Sequence, residues 1–154
     1  MTDNEKLLRA QKQFEIMVDA TSGYSDSVDH EKMLVWMAYP AGQISVKMCL
    51  SVDVKRQLVR LDAFMPIEIP EEKMAEMACI ACFQNTKSGH GCFDIYTNLK
   101  TIAYRMTNSF MDSTLYSEAF SYMWLHAAHV IEESFPRFNI FLADLVSLDE
   151  LISR

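Results

Sequence analysis

Two cysteines, Cys79 and Cys82, form a Cys-Ile-Ala-Cys motif whose spacing suits a redox pair or half of a zinc site. A thioredoxin-like motif lies at a strand-to-helix junction and begins the helix, whereas this motif falls in the second half of a predicted helix. A site with four thiolate ligands needs a second close pair, but Cys49 and Cys92 stand alone in separate predicted strands. We therefore expect four reduced thiols and no disulfide, with Cys79 and Cys82 as small buried thiols.

A second candidate set is His126, His129 and Glu133, because spacings of three and four bring side chains to one face of a helix. Such a face could bind a metal ion. Histidine and glutamate on the polar side of a helix more often form a solvated surface, and the remaining histidines, His30 and His90, lie in predicted loops. We therefore expect no metal site and no cofactor.

No residue pattern identifies catalytic machinery. No nucleophile is recognisable beside a base, and Gly89-His90-Gly91 lacks the spacing and the Lys-Ser/Thr of a nucleotide-binding loop. Asp62 and Asp94 lie on predicted strands, where alternation places such residues on the solvent side of an ordinary sheet. The sequence therefore predicts no catalytic residues.

Four apolar residues lie where polar ones are expected and could form a surface for a partner. Leu58 and Phe64 lie on the less apolar face of their predicted strand, and Tyr122 and Leu125 lie on the polar side of the longest predicted helix. Single exposed apolar residues are common, but a group of them suggests a contact surface. We take these four as the candidate partner surface.

The first half of the chain predicts one helix and three strands. Apolar residues at helical spacing predict a helix ending near residue 19, namely Leu7, Ala10, Phe14 and Met17. The polar run 21–29 suits a loop. Strands are predicted at 33–39, 44–51 and 58–65, the first from a short apolar run and the others from alternation. Three consecutive strands imply an antiparallel meander.

The second half predicts a helix and a two-strand hairpin before the last helices. Pro70 and the two glutamates that follow it mark the start of a helix that ends by Asn85. Alternation at 92–96 and 102–106 predicts two strands joined by a turn.

The chain is predicted to end with a long helix and a short one. A periodic segment runs from Leu115 to about Phe135, where Pro136 is expected to stop it, and Tyr116 falls on its core side. The capping-box spacing at 147–150 predicts a short terminal helix. The fold class is therefore α+β, with one sheet covered by helices on its apolar face.

Composition restricts the class of protein. The chain has 154 residues, half of them apolar, which suits a single domain with one core. Its net charge of −7 disfavours nucleic acid as a partner. The first residues do not form a signal peptide, and no apolar run is long enough to cross a membrane. We therefore expect a cytoplasmic protein.

The order of elements and several stretches resemble the YbjN-like family of proposed bacterial sensory transduction regulators, which looks like type III secretion chaperones. The resemblance rests on 65–73 (Met-Pro-Ile-Glu-Ile-Pro-Glu-Glu-Lys), 91–95 (Gly-Cys-Phe-Asp-Ile) and 102–105 (Ile-Ala-Tyr-Arg), and continues to 135–136 and 147–152. It implies a single YbjN-like domain over 1–154 with the helix, three-strand, helix, two-strand, helix order. It also implies frequent homodimers, no known cofactor and no catalytic residues.

The leading hypothesis is a non-catalytic protein-binding or chaperone-like regulatory domain, whose partner is another protein or a second copy of the chain. The acidic sequence, rich in methionine and without catalytic motifs, motivates it. One alternative is a small thiol- or metal-dependent enzyme that uses the Cys79 pair or the His126 set. Another is a homodimer that only associates with itself.

Overall fold

One antiparallel sheet organises the chain, and the computed structural model describes residues 1–153. The strands of this part of the chain are β1 (Ser25–Asp29), β2 (Leu34–Ala41), β3 (Ile44–Asp53), β4 (Leu58–Phe64), β5 (Cys92–Tyr96) and β6 (Thr101–Ser109). Their order in space is β1-β2-β3-β4-β6-β5, and every neighbouring pair is antiparallel. The first four strands therefore form a meander, and the β5–β6 hairpin joins it through β6.

The helices pack on one face of this sheet. They are α1 (Asp3–Thr21), α2 (Met74–Asn85, after a 3-10 helix at Glu71–Lys73), α3 (Ser117–Leu142) and α4 (Leu148–Ile152). Both α1 and α4 begin with a capping box, at Thr2 and at the predicted Ser147, in which the cap hydroxyl and a glutamate three residues later each accept a backbone hydrogen bond. The predicted α+β class is confirmed.

Alternation along the strands separates a covered face from an uncovered one. On β4, Val59, Leu61 and Ala63 are fully buried on the side where α3 packs. Arg60 and Asp62, between them, point to the opposite side and remain partly exposed. The helix-covered side therefore contains the core, where burial of each large apolar side chain stabilises the fold by about 1.5–3 kcal/mol.

A buried glutamine joins α1 to the segment before α3. The side chain of Gln13 is 1% exposed. Its Nε2 donates to the Leu115 carbonyl oxygen at 2.8 Å, and its Oε1 accepts from the Leu115 backbone N–H at 2.9 Å. Leu115 therefore satisfies both ends of the buried amide, which would cost about 1–3 kcal/mol if it were left unpaired.

The structure has a strand that the sequence did not predict. The polar run 21–29 was expected to be a loop, but Ser25–Asp29 forms β1 at the edge of the sheet, paired with β2. Its backbone hydrogen bonds to β2 hold it there, while most of its side chains are polar and partly exposed, so no apolar alternation marks it. The predicted three-strand meander therefore has four strands.

The longest helix extends beyond its predicted end. Pro136 was expected to stop it, but α3 continues to Leu142 with Pro136 inside. Phe138 and Phe141, beyond the proline, are 0% and 4% exposed, and their burial offsets the lost backbone hydrogen bond. The predicted core position of Tyr116 is wrong, because this residue is the N-cap and is 62% exposed.

Candidate functional site

The four predicted surface residues lie on two opposite sides of the molecule. Leu58 and Phe64 are the first and last residues of β4, and both side chains lie on the uncovered face of the sheet. Tyr122 and Leu125 lie one turn apart on α3, which packs on the covered face, and each is 48% exposed. The fold therefore supports two separate candidate surfaces.

A row of aromatic rings crosses the uncovered face and includes Phe64. The rings of Trp36 on β2 and Phe64 on β4 stack with centroids 5.9 Å apart, and the Tyr96 ring on β5 lies 5.7 Å from Phe64. Lys47 places its Nζ 4.9 Å from the centre of the Trp36 ring. We call Trp36, Phe64 and Tyr96 the aromatic row. All three residues are only partly buried, so apolar surface remains available there.

A hydrogen-bonded ion pair fixes one end of this row. Arg60 donates from Nε and Nη2 to the carboxylate of Asp62 at 2.7 and 2.9 Å, and its Nη2 also lies 2.7 Å from the Tyr96 oxygen. The Tyr96 hydroxyl donates to Asp62 at 2.7 Å. Burial, together with the hydrogen bond to Asp62, raises the pKa of Tyr96 to about 12. The tyrosine therefore remains a neutral donor at neutral pH.

A second pair lies on the neighbouring strands. Arg105 on β6 bonds through Nε to the Asp94 carboxylate on β5, and its Nη2 lies 3.1 Å from the Cys92 sulfur. Burial and the Asp94 charge raise the pKa of Cys92. Burial, followed by the charge of Asp62, raises the pKa of Cys49 to about 11. Both thiols on this face are therefore protonated near neutral pH, unlike the thiolate of a nucleophilic cysteine.

The Cys79 and Cys82 side chains are not the small buried thiols expected from the sequence, because both residues are exposed. The buried residues of α2 are Met77, Ile80 and Ala81. Cys79 follows Met77 by two positions, which places it about 200° around the helix from that stripe. Because α2 has apolar residues on several sides, the sequence did not show which side faces the core.

His126, His129 and Glu133 do not converge on one point, because His126 has a different partner from the other two. His126 lies with its Nε2 3.2 Å from the Tyr104 hydroxyl oxygen, whereas His129 lies 3.5 Å from a carboxylate oxygen of Glu133. Among residues 1–153, no group of three or more histidine, cysteine or acidic side chains is arranged to hold a metal ion.

His90 lies beside His126 in the structure, although the sequence predicted it in a loop far away along the chain. The two imidazole rings lie 5.4 Å apart, and the Tyr122 ring stacks on His126 at 5.7 Å. The Tyr104 hydroxyl also shares a hydrogen bond with the Ser88 hydroxyl, and both residues line a surface cleft of about 420 Å³. Burial, followed by the charges of His90 and His129, lowers the pKa of His126. The neutral form of the His126 imidazole is therefore favoured in the folded chain.

Two solved structures share this fold. A chain of the ExsC–ExsE complex superposes with a TM-score of 0.59 at 13% identity, covering 81% of this chain and 92% of that chain. YbjN from E. coli, a proposed transcription regulator, superposes with a TM-score of 0.55 at 14% identity, covering 79% of this chain and 89% of YbjN. The fold is therefore the YbjN-like, type III secretion chaperone-like fold that the family resemblance implies.

No protein-family model matches the chain, and no curated protein matches it. Within residues 1–153, no helix combines the length and the apolar character that a membrane-spanning segment requires.

Proposed function

We propose that this chain, which has the YbjN-like, type III secretion chaperone-like fold, is a non-catalytic protein-binding domain with a chaperone-like regulatory role in the cytoplasm. We further propose that 1–154 acts as a single domain. The observation that carries the proposal is the uncovered sheet face, where aromatic rings and paired charges are held in place.

The composition of this face is that of a protein interface. Interface centres are enriched in tryptophan, tyrosine, phenylalanine and arginine, and such residues contribute most of the binding free energy. Trp36, Phe64 and Tyr96 contact one another in series, and Arg60 is bonded to Tyr96. Side chains ordered before binding lose less conformational entropy when a partner docks.

The chemistry of the same face supports binding over catalysis. The charges of Arg60 and Arg105 are each paired with an aspartate. The two thiols on the face, Cys49 and Cys92, have raised pKa values. A nucleophile requires the opposite shift, towards the thiolate. One of the solved structures with this fold is itself a complex of two named proteins, which also supports a protein partner for this chain.

The test is a capture experiment with the tagged chain as bait in an extract of the cells that express it. A Phe64→Thr chain removes the central ring but retains a residue with high strand propensity. A chain with Tyr122→Ser and Leu125→Ser is the matched control on the opposite side. We expect one protein to be captured by the wild-type chain and by the control but lost with Phe64→Thr, and to bind again when both purified proteins are mixed.

Retention by the Phe64→Thr chain together with loss in the α3 variant would place the interface on the helical side. If the wild-type chain captures nothing at any concentration, the proposal of a protein-binding function is wrong.

A second candidate function is self-association through α3, which the exposure of Tyr122 and Leu125, 48% each, favours. We expect light scattering to give twice the chain mass of 17.7 kDa, and the variant with both residues changed to serine to be monomeric. A wild-type chain that is monomeric at all concentrations would contradict this candidate.

A further inference from the structure

The two cysteines of α2 lie together on its solvent side. Cys79 and Cys82 are both exposed, whereas Met77, Ile80 and Ala81 are the buried residues of the same helix. A spacing of three residues separates the two thiols by about 60° around the helix axis, so they leave the helix on the same side, roughly one turn apart. The chain therefore presents a pair of adjacent sulfur ligands to solvent.

The helical spacing suits a shared metal ion better than a direct bond between the two sulfurs. A disulfide requires Cβ atoms about 3.5–4.5 Å apart, whereas residues three apart on a helix have Cβ atoms about 5–6 Å apart. Zinc–sulfur bonds of about 2.3 Å in a tetrahedral site hold two sulfurs roughly 3.8 Å apart, which is nearly twice the length of a sulfur–sulfur bond. Two thiolates of an intact helix can therefore bind one Zn²⁺ ion.

This pair supplies half of the four-sulfur ligand set of a tetrahedral zinc site. In the described part of the chain, no third histidine, cysteine or acidic side chain joins Cys79 and Cys82 in a group arranged to hold a metal ion. The remaining cysteines lie on β3 (Cys49) and β5 (Cys92), and burial raises the pKa of both, which disfavours the thiolate that a metal ion requires. A second copy of the chain is the source of two equivalent sulfurs.

The exposed side of α2 suits close packing against a second copy of the same helix. Ala75 is exposed one turn before Cys79, and Ala78 is partly buried one turn before Cys82. These four side chains are small and uncharged, so two such helices can approach closely. Glu76, the one charged residue of α2, lies at the margin of this side. A helix with apolar residues on several sides is normally covered on all of them, and a second α2 would cover this one.

We infer that two copies of this chain share one Zn²⁺ ion, which is bound by Cys79 and Cys82 of each α2. Four thiols release their protons to solvent as four zinc–sulfur bonds form, and no oxidation state changes. The inference is independent of the proposed protein-binding function, because α2 contributes no residue to the aromatic row.

The test uses the full chain in reduced, metal-free form. Co²⁺ is the probe for the ligands, because a tetrahedral cobalt site absorbs strongly in the visible range and its near-ultraviolet charge-transfer band grows with the number of thiolates. Light scattering measures the mass with and without Zn²⁺. Cys79→Ser and Cys82→Ser chains are compared with Cys49→Ser and Cys92→Ser chains, which are the matched controls because they remove thiols outside α2.

We expect one Co²⁺ ion to bind per two chains. The mass is measured in a chain with Tyr122→Ser and Leu125→Ser, so that association through α3 does not contribute. Zn²⁺ should raise its mass from that of one chain, 17.7 kDa, to twice that value, and a chelator should reverse the change. Cys79→Ser and Cys82→Ser should each abolish the cobalt spectrum and the zinc-dependent mass, whereas both control variants should retain them. Each variant must keep the far-UV circular dichroism of the wild-type chain, as expected for serine at exposed positions.

Three results would overturn the inference. Metal binding that persists in the Cys79→Ser and Cys82→Ser chains would show that these thiols are not the ligands. One ion per chain with an unchanged mass would show that no second copy takes part, and binding of no metal would exclude the site altogether. None of these results alters the capture experiment with the Phe64→Thr chain, so the two proposals fail separately.

Discussion

The two faces of the sheet are built from the same strands but have different chemistry. On β4, the residues on the covered side are Val59, Leu61 and Ala63, all fully buried. The alternate residues Arg60 and Asp62 form an ion pair on the uncovered side. A single step along the strand therefore changes the role of a side chain from packing the core to presenting a charge at the surface.

This contrast means that the stability of the fold and the chemistry of the uncovered face can be altered separately. The covered face contributes free energy of folding through burial of apolar surface, whereas an ion pair as exposed as Arg56–Asp53 contributes little. Arg60 and Asp62 have side chains that are 41% and 13% exposed, and Arg105 and Asp94 are each 34% exposed.

The difference between the two faces is tested most directly by the same substitution, leucine to alanine, on each side of β4. Leu61→Ala should lower the free energy of unfolding by about 2–5 kcal/mol, because it leaves a cavity in the core. Leu58→Ala, on the uncovered side, should lower it by less than about 1 kcal/mol. Urea unfolding measures both values. Equal losses would show that the uncovered side is packed as tightly as the core.

Thiol labelling tests the electrostatics of the uncovered face. At pH 7.5 a maleimide should modify the exposed Cys79 and Cys82 first, giving two added labels in the intact mass spectrum. Cys49, whose pKa is raised to about 11, has a thiolate fraction on the order of 100-fold below that of an ordinary cysteine. Labelling of Cys49 as fast as the α2 pair would contradict a shielded thiol beside Asp62.

A pH titration addresses the helical side and should give the smallest effect. The pKa of folded His126 lies below the ordinary value of 6.5, so the unfolded chain binds this proton more readily. The free energy of unfolding should therefore fall as pH decreases below 6.5, and His126→Gln should reduce that fall. Urea midpoints at pH 7.5 and 5.5 provide the measurement. An equal change of the midpoint in the wild-type and His126→Gln chains would contradict the direction of the shift.

The sequence predicted those helices and strands that are determined by residues close together along the chain. Alternation identified β3 and β4, and the capping box at Ser147 identified α4. β1 and the extension of α3 beyond Pro136 were missed because tertiary contacts produce them. Pairing with β2 holds a polar strand, and the burial of Phe138 maintains a helix through a proline.

The candidate site was predicted only where alternation revealed a face. Leu58 and Phe64 were placed correctly on one side of their strand, because β4 alternates. Trp36 was hidden in the continuous apolar run 33–39, which does not show which residues face the helices. The convergence of Arg60 and Arg105 depends on β4 pairing with β6, and no spacing within the sequence encodes that neighbour relation.

The bond between Gln13 and Leu115 has a consequence for the order of events during synthesis. The partner of this amide lies 102 residues further along the chain, so α1 emerges from the ribosome long before Leu115 does. Such a contact carries a large loop-closure cost and is expected to form late in folding. The contact that joins α1 to the segment before α3 is thus expected to form after the strands between these two elements have been made.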